Sequence, residues 1–219
     1  MDADEGLHVK YDAVVFDFDG TLADSFAVFM ECWSIAARRH GFQPPEDQDI
    51  ESLRGLSARQ IVAQVGLAWW KLPFVGKTMR QLMQERADRI TVFDGIESLI
   101  GDLKAHGLVV GIVTSSGHQS VRRVLSPALA AQVDHMACGA SLFGKQSKTR
   151  ALLRAARVRA ERVLSVGDEI RDADVARAMG MDFAGVAWGY THAKELGAQP
   201  SVQLCHTPAD LRRLLLPTP

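Results

Sequence analysis

A chain of 219 residues, 47% hydrophobic and 23% charged, is long enough to bury one sizeable core and to carry a large insertion besides. Its formal charge of -1 gives no bulk attraction for nucleic acid, and no apolar stretch approaches the length needed to span a bilayer, so neither a nucleic-acid nor a membrane partner is expected. Cys32, Cys138 and Cys205 are odd in number and lack C-x-x-C spacing, which argues against a disulfide framework or structural zinc and for a reducing, cytoplasmic setting; the acidic opening MDADEGLHVK does not read as a secretory signal.

The first element is the apolar run Ala13 to Phe16, whose β-branched residues predict a parallel strand covered on both faces. It runs into Asp17 and Asp19 and then Gly20-Thr21. Burying an unpaired ionised carboxylate is costly, so both acids are expected just past the strand, facing a cation or a substrate. Ser25 to His40 carries Phe26, Phe29, Met30, Trp33, Ala36 and Ala37 at helical spacing, and Gly41 stops it. Pro44-Pro45 marks a loop, Ser57 can cap a helix through about Val65, and Trp69-Trp70 lies in a connection. Pro73 opens a further helix with Val75, Met79, Leu82, Met83 and Arg86, and no convincing strand falls between about 24 and 90. Trp33, Trp69 and Trp70 are assigned to helical core rather than to a ligand platform.

From Asp94-Gly95 onward, helix and strand alternate. Leu108 to Val113 runs into Thr114-Ser115-Ser116-Gly117, Arg162 to Val166 into Gly167-Asp168-Glu169, and Phe183 to Trp188 into Gly189-Tyr190. Arg122-Arg123 and Arg150 to Arg159 read as solvated helix faces, and Pro-Thr-Pro at 217–219 ends the last helix. The expected fold is α/β: a Rossmann-like parallel sheet core over 1–23 and 93–219, with a small all-helical cap inserted over 24–92. Ligands of open parallel sheets sit outside the carboxyl ends of the strands, so four strand ends are expected to converge on one site.

The order D-x-D-G-T, an apolar strand ending in Thr or Ser, a Lys before a helix, and G-D-x-x-x-D resembles the haloacid dehalogenase-like phosphohydrolase superfamily over nearly the whole chain. The segments DFDGTLADS and VLSVGDEIRDADVARAMGM are similar to its phosphoglycolate phosphatase type. The resemblance implies a phosphatase in which Asp17 is the nucleophile, forming an aspartyl-phosphate, and Asp19 the general acid and then base. Thr21 would brace Asp19 at the substrate site, and Thr114 with the amide of Ser115 would hold phosphoryl oxygens. Lys145 would offset charge on Asp17 and the phosphoryl group, with Lys148 as the other candidate. A phosphate dianion approaching an ionised Asp17 is repelled, which calls for a hard cation. By resemblance Mg²⁺ would be held by Asp17, the Asp19 carbonyl and Asp168, with Asp172 acting through water and the contact of Glu169 left open. Arg54, in the loop Leu53 to Ser57, could pair with a substrate carboxylate such as that of glycolate. The partner is then a small phosphorylated metabolite, and the protein a monomer or homodimer. Dehalogenases of this fold lack an acid at the position of Asp19. Phosphosugar mutases keep both aspartates and remain the enzymatic alternative; a non-catalytic binding module is disfavoured because all the acids for chemistry are present.

Overall fold

The computed structural model describes residues 10–44, 50, 52–56, 58–139 and 144–216. Ser57, Pro45, Phe143 and the termini 1–9 and 217–219 lie outside the described residues. In chain order the main elements are β1 (Ala13–Phe16), β2 (Ala23–Asp24), α1 (Phe26–His40), α2 (Ala58–Gln64), α3 (Leu72–Glu85), β3 (Thr91–Val92), α4 (Ile96–Ala105), β4 (Val109–Val113), α5 (His118–Val124) and α6 (Pro127–Gln132). They continue as β5 (His135–Ala137), α7 (Lys145–Ala156), β6 (Val163–Gly167), α8 (Ile170–Met179), β7 (Asp182–Val186), α9 (Ala193–Gly197), β8 (Val202–Cys205) and α10 (Pro208–Leu215).

Six strands form one parallel sheet in the order β5-β4-β1-β6-β7-β8. Renumbered along the chain, that is 3-2-1-4-5-6, the doubly wound order whose direction reverses at the first strand. The buried parallel strand β1 has no polar face, and its alternate residues enter two different cores. Val14 and Phe16 join Val110, Ile112, Leu164 and Val166, covered by α4 (Leu99, Leu103), α6 (Leu129) and α10 (Leu211, Leu215). Ala13 and Val15 join Val163 and Phe183 under α7 (Leu152, Leu153), α8 (Ala173, Ala176) and α9 (Leu196). The strand expected at Phe183 to Trp188 stops at Val186, and Trp188 instead donates its Nε1–H to the Thr21 carbonyl at 3.1 Å.

The inserted helices build a smaller cluster of Ala36, Val65, Leu67 and Val75, with Trp33, Phe42 and Ile61 against it. Gly41, at φ 68°, ends α1 in the left-handed region, as its place in the sequence implies. Val28 and Cys32 of α1 and Leu82 of α3 reach past that cluster into the sheet core, which fixes the base of the insertion. The chain leaves and returns through an antiparallel ribbon, Ala23 opposite Val92 and Asp24 opposite Thr91. Two residues on each side are too few to show as periodicity, so the expected helices-only segment is bounded by a short strand pair. Trp69 and Trp70 correct their assignment to core: they are 56% and 69% exposed on the short turn Trp69–Lys71. Leu67 and Leu72 on either side of them supply the buried contacts. Among the described residues no helix is long and apolar enough to cross a membrane.

Gly185 on β7 lies beneath α9, where an added Cβ would sit 2.8 Å from Leu196 Cδ2, 2.9 Å from its Cγ and 3.0 Å from Val202 Cγ1. Overpacking of this kind costs about 1–3 kcal/mol. Gly185→Ala is therefore expected to lower the urea midpoint with an unchanged slope; a midpoint within error of wild type would show that α9 yields freely.

Candidate active site

The reversal of strand order at β1 opens a crevice at the carboxyl ends of β1, β4 and β6, and the polar residues gather there. Asp17 is still tied to the sheet, its N–H donating to Val166 O at 2.8 Å. Beyond Phe18, which is 1% exposed, Gly20 takes φ 78° and its N–H donates to Ala23 O at 2.9 Å. This left-handed turn, easy only for glycine, folds the chain back into β2 immediately after Asp19. A side chain at Gly20 would also collide with Tyr190 and the Asp168 carboxyl.

Strand β6 delivers Asp168, which has no exposed surface. Thr21 donates its hydroxyl to Asp168 Oδ1 at 2.7 Å, and the Tyr190 N–H donates to Oδ2 at 2.8 Å. Glu169 caps α8, and Asp172 on the first turn of that helix accepts the Glu169 N–H at 3.3 Å, a reciprocal capping box. The carboxylates of Asp17, Asp168 and Asp172 each present an oxygen within 4.8 Å of the others. Lys145 opens α7, a position where a cation opposes the helix dipole. Its Nζ lies 2.9 Å from Asp17 Oδ2 and pairs with Asp172 Oδ1. Lys148, one turn on, donates instead to the carbonyls of Thr114, at 3.0 Å, and Gly139.

Charge balance follows from this packing. Burial pushes Asp17 up to about 7, with Lys145 pulling it down and Asp172 and Glu169 adding to the rise. Asp168 is held well above the usual carboxylate range by burial and then by Asp17, Glu169 and Asp172. Burial also raises Asp19, against hydrogen bonds from Ser116 and Ser25. Burial alone would pull Lys145 down, but Asp17 and Asp172 hold it above its ordinary value. One ammonium among three clustered carboxylates leaves the site short of positive charge. All-oxygen donors of this kind fit a hard divalent cation such as Mg²⁺, not a soft metal.

The expected contact of Thr21 is placed differently, and Ser115 and Arg54 have surroundings that the sequence did not signal. Thr21 braces Asp168, not Asp19, because the Gly20 turn carries its hydroxyl across to β6. Ser115 is exposed, whereas Ser116 donates its hydroxyl to Asp19 Oδ2 at 2.6 Å and its N–H to Thr114 Oγ1 at 2.9 Å. Arg54 donates from Nε to Tyr190 O at 2.9 Å and from Nη2 to Gly189 O at 2.8 Å, with its guanidinium 5.3 Å from the Phe26 ring centre. It thus clasps the loop whose amide holds Asp168. Glu169 pairs with Arg171 at 2.8 Å. Ser116 and Tyr190 had only their positions after strand ends to signal them. Tyr190 follows β7, and its hydroxyl shares a 2.8 Å hydrogen bond with Ser25. Burial holds that phenol well above its usual range.

A family model described as haloacid dehalogenase-like hydrolase matches residues 14–186. The chain is 28% identical over 200 residues to a phosphoglycolate phosphatase of Synechococcus elongatus, covering 91% of this chain and 94% of that protein. It is 30% identical over 216 residues to the tyrosine-protein kinase PtkA of Mycobacterium tuberculosis, covering 92% of this chain and 72% of the other. Among solved structures, a haloacid dehalogenase-like family hydrolase from Streptococcus pneumoniae superposes with a TM-score of 0.77 at 19% identity, over 94% of this chain and 98% of that one.

The sign of the electrostatics is testable without substrate. In chelator, Asp17 and Asp168 keep protons in the fold where the unfolded chain has lost them, so stability falls as pH rises from the ordinary 3.8 through about 7. The urea midpoint should be higher at pH 5 than at pH 8, and Asp17→Asn should narrow the gap. A midpoint rising over that interval would contradict a buried surplus of negative charge.

Proposed function

The chain belongs to the haloacid dehalogenase-like hydrolases, as a phosphomonoester hydrolase, and we propose that it uses Mg²⁺ and proceeds through an aspartyl-phosphate on Asp17. The observation that carries this reading is the arrangement of Asp17 against Lys145, with Asp19 two residues on and held by Ser116. In the first step the ionised Asp17 carboxylate attacks phosphorus and the ester oxygen leaves. Asp19, whose proton affinity burial raises, gives that oxygen its proton. In the second step Asp19 takes a proton from water as its oxygen attacks the aspartyl-phosphate, releasing phosphate and restoring Asp17. Mg²⁺, when bound by Asp17, Asp168 and Asp172, would offset the repulsion between nucleophile and phosphate dianion.

The remaining residues position and shield. Lys145 lowers the proton affinity of Asp17 against the larger rise from burial, so that the carboxyl ionises at about 7. Thr114 Oγ1 accepts from the Ser116 amide, so its own proton can be directed to a phosphoryl oxygen, with the exposed Ser115 amide beside it. Thr21 holds Asp168 in place. The name of the Synechococcus relative makes phosphoglycolate the first ester to try. Transfer to a sugar phosphate, the mutase alternative, or to a tyrosine, which the name of the mycobacterial relative suggests, would use the same aspartyl-phosphate with another acceptor. Both are distinguished from hydrolysis by whether inorganic phosphate is the product.

Asp17→Asn is expected to lower phosphate release by about 10³-fold or more while leaving the fold intact, since the amide is close in shape but a poor nucleophile. Chelation should silence the wild type and Mg²⁺ should restore it. Near-normal turnover in the variant would remove the covalent mechanism, and undiminished activity in chelator the metal.

Arg54→Ala should slow phosphoglycolate and a simple aryl phosphate alike, by roughly one to two decades, because its charged hydrogen bonds hold the loop 189–190 beneath Asp168. A rise in KM confined to phosphoglycolate would instead put the guanidinium on the substrate carboxylate.

A further inference from the structure

Between the insertion and the loops after β6 and β7 lies a cavity of about 510 Å³. Phe26, Phe29, Met30 and Trp33 line it from α1, an i, i+3, i+4, i+7 stripe of one helix face, with Ile61 and Met79 opposite. At its base the lining includes Glu169 and Tyr190, the residues flanking and holding Asp168, so the cavity opens beside the acid cluster. The volume falls within the roughly 300–1,000 Å³ of pockets that enclose whole small molecules.

The wall is apolar, and its few charges are already engaged. Arg54 clasps the Gly189 and Tyr190 carbonyls, Glu169 pairs with Arg171, and Asp174 pairs with Arg177. Trp33 Nε1 is fully covered, so the indole offers the cavity no exposed donor. A two-carbon alcohol portion bearing a carboxylate would leave most of these rings uncovered and set its charge against them.

We propose that the alcohol portion of the substrate ester is an apolar group of several carbons, alkyl or aryl, seated in this cavity, and that phosphoglycolate is a poor substrate. This rests on the phosphomonoesterase reading and narrows it to a substrate class. Each methylene removed from water is worth about 0.8 kcal/mol, roughly a fourfold gain per carbon until the cavity is full.

Phosphate release from the full chain with Mg²⁺ should be compared across methyl, butyl, hexyl and 2-naphthyl phosphate and phosphoglycolate. The expected result is kcat/KM climbing about fourfold per methylene, with hexyl and naphthyl phosphate at least tenfold above phosphoglycolate. A flat series, or phosphoglycolate ahead of hexyl phosphate, overturns the proposal and leaves the hydrolase reading standing. No phosphate from any ester overturns the hydrolase reading itself. Location is tested by Ile61→Trp, which narrows the cavity and should flatten the series, and by Phe29→Ala, which enlarges it and should move the optimum to a longer chain. A chain-length profile unmoved in both variants places the apolar group elsewhere and overturns the proposal.

Discussion

Lys145 stands between Asp17 and Asp172 in a largely buried space, and the rest of the site is arranged around that contact. Without an ammonium there, two buried carboxylates and the neighbouring Asp168 would repel one another in a medium that screens poorly. With it, Asp17 can ionise near neutrality, yet three carboxylates are left to share one ammonium. That imbalance is the physical basis for reading the site as a cation seat. The lysine stands at the start of α7, against the helix dipole, so the local rule is broken where the site requires it.

Much of this was legible before any coordinates. A parallel strand buried on both faces reads as an unbroken apolar run, so the tips of β1, β4 and β6, and the acids on them, stand out in the chain. Spacing favoured Lys145 over Lys148 only weakly, since the two stand three residues apart; packing separates them by sending one to Asp17 and the other to backbone carbonyls. Thr21, Ser116 and Arg54 were harder. Each sits in an irregular segment, and the partner of a hydroxyl or guanidinium there depends on which strands lie side by side, a long-range fact with no local signature. Trp69 and Trp70 mislead for another reason: hydrophobicity predicts burial on average, but two adjacent residues on one tight turn cannot both face the same core.

Shape, more than charge, divides the labour between the two parts. The sheet contributes a compact polar cluster, held by backbone amides and neighbouring hydroxyls. The insertion contributes an apolar wall with its charges already paired. Relatives with different activities in their names can share the first and differ in the second.

The ribbon of Ala23 and Asp24 against Thr91 and Val92 brings the two ends of the inserted helices to the separation of neighbouring strands, about 4.5–5.5 Å. To the sheet, everything from Phe26 to Ile90 is therefore topologically equivalent to a hairpin loop, however many residues it contains. Closing a longer loop adds only about 0.6 kcal/mol for each doubling of length. The sheet would thus tolerate a larger, smaller or differently folded insertion, provided that it returned through the same ribbon and supplied substitutes for Val28, Cys32 and Leu82 at the sheet core. The ribbon makes the insertion an exchangeable module, one whose replacement would also have to supply the Arg54 clasp on Gly189 and Tyr190 beside the tip of β6.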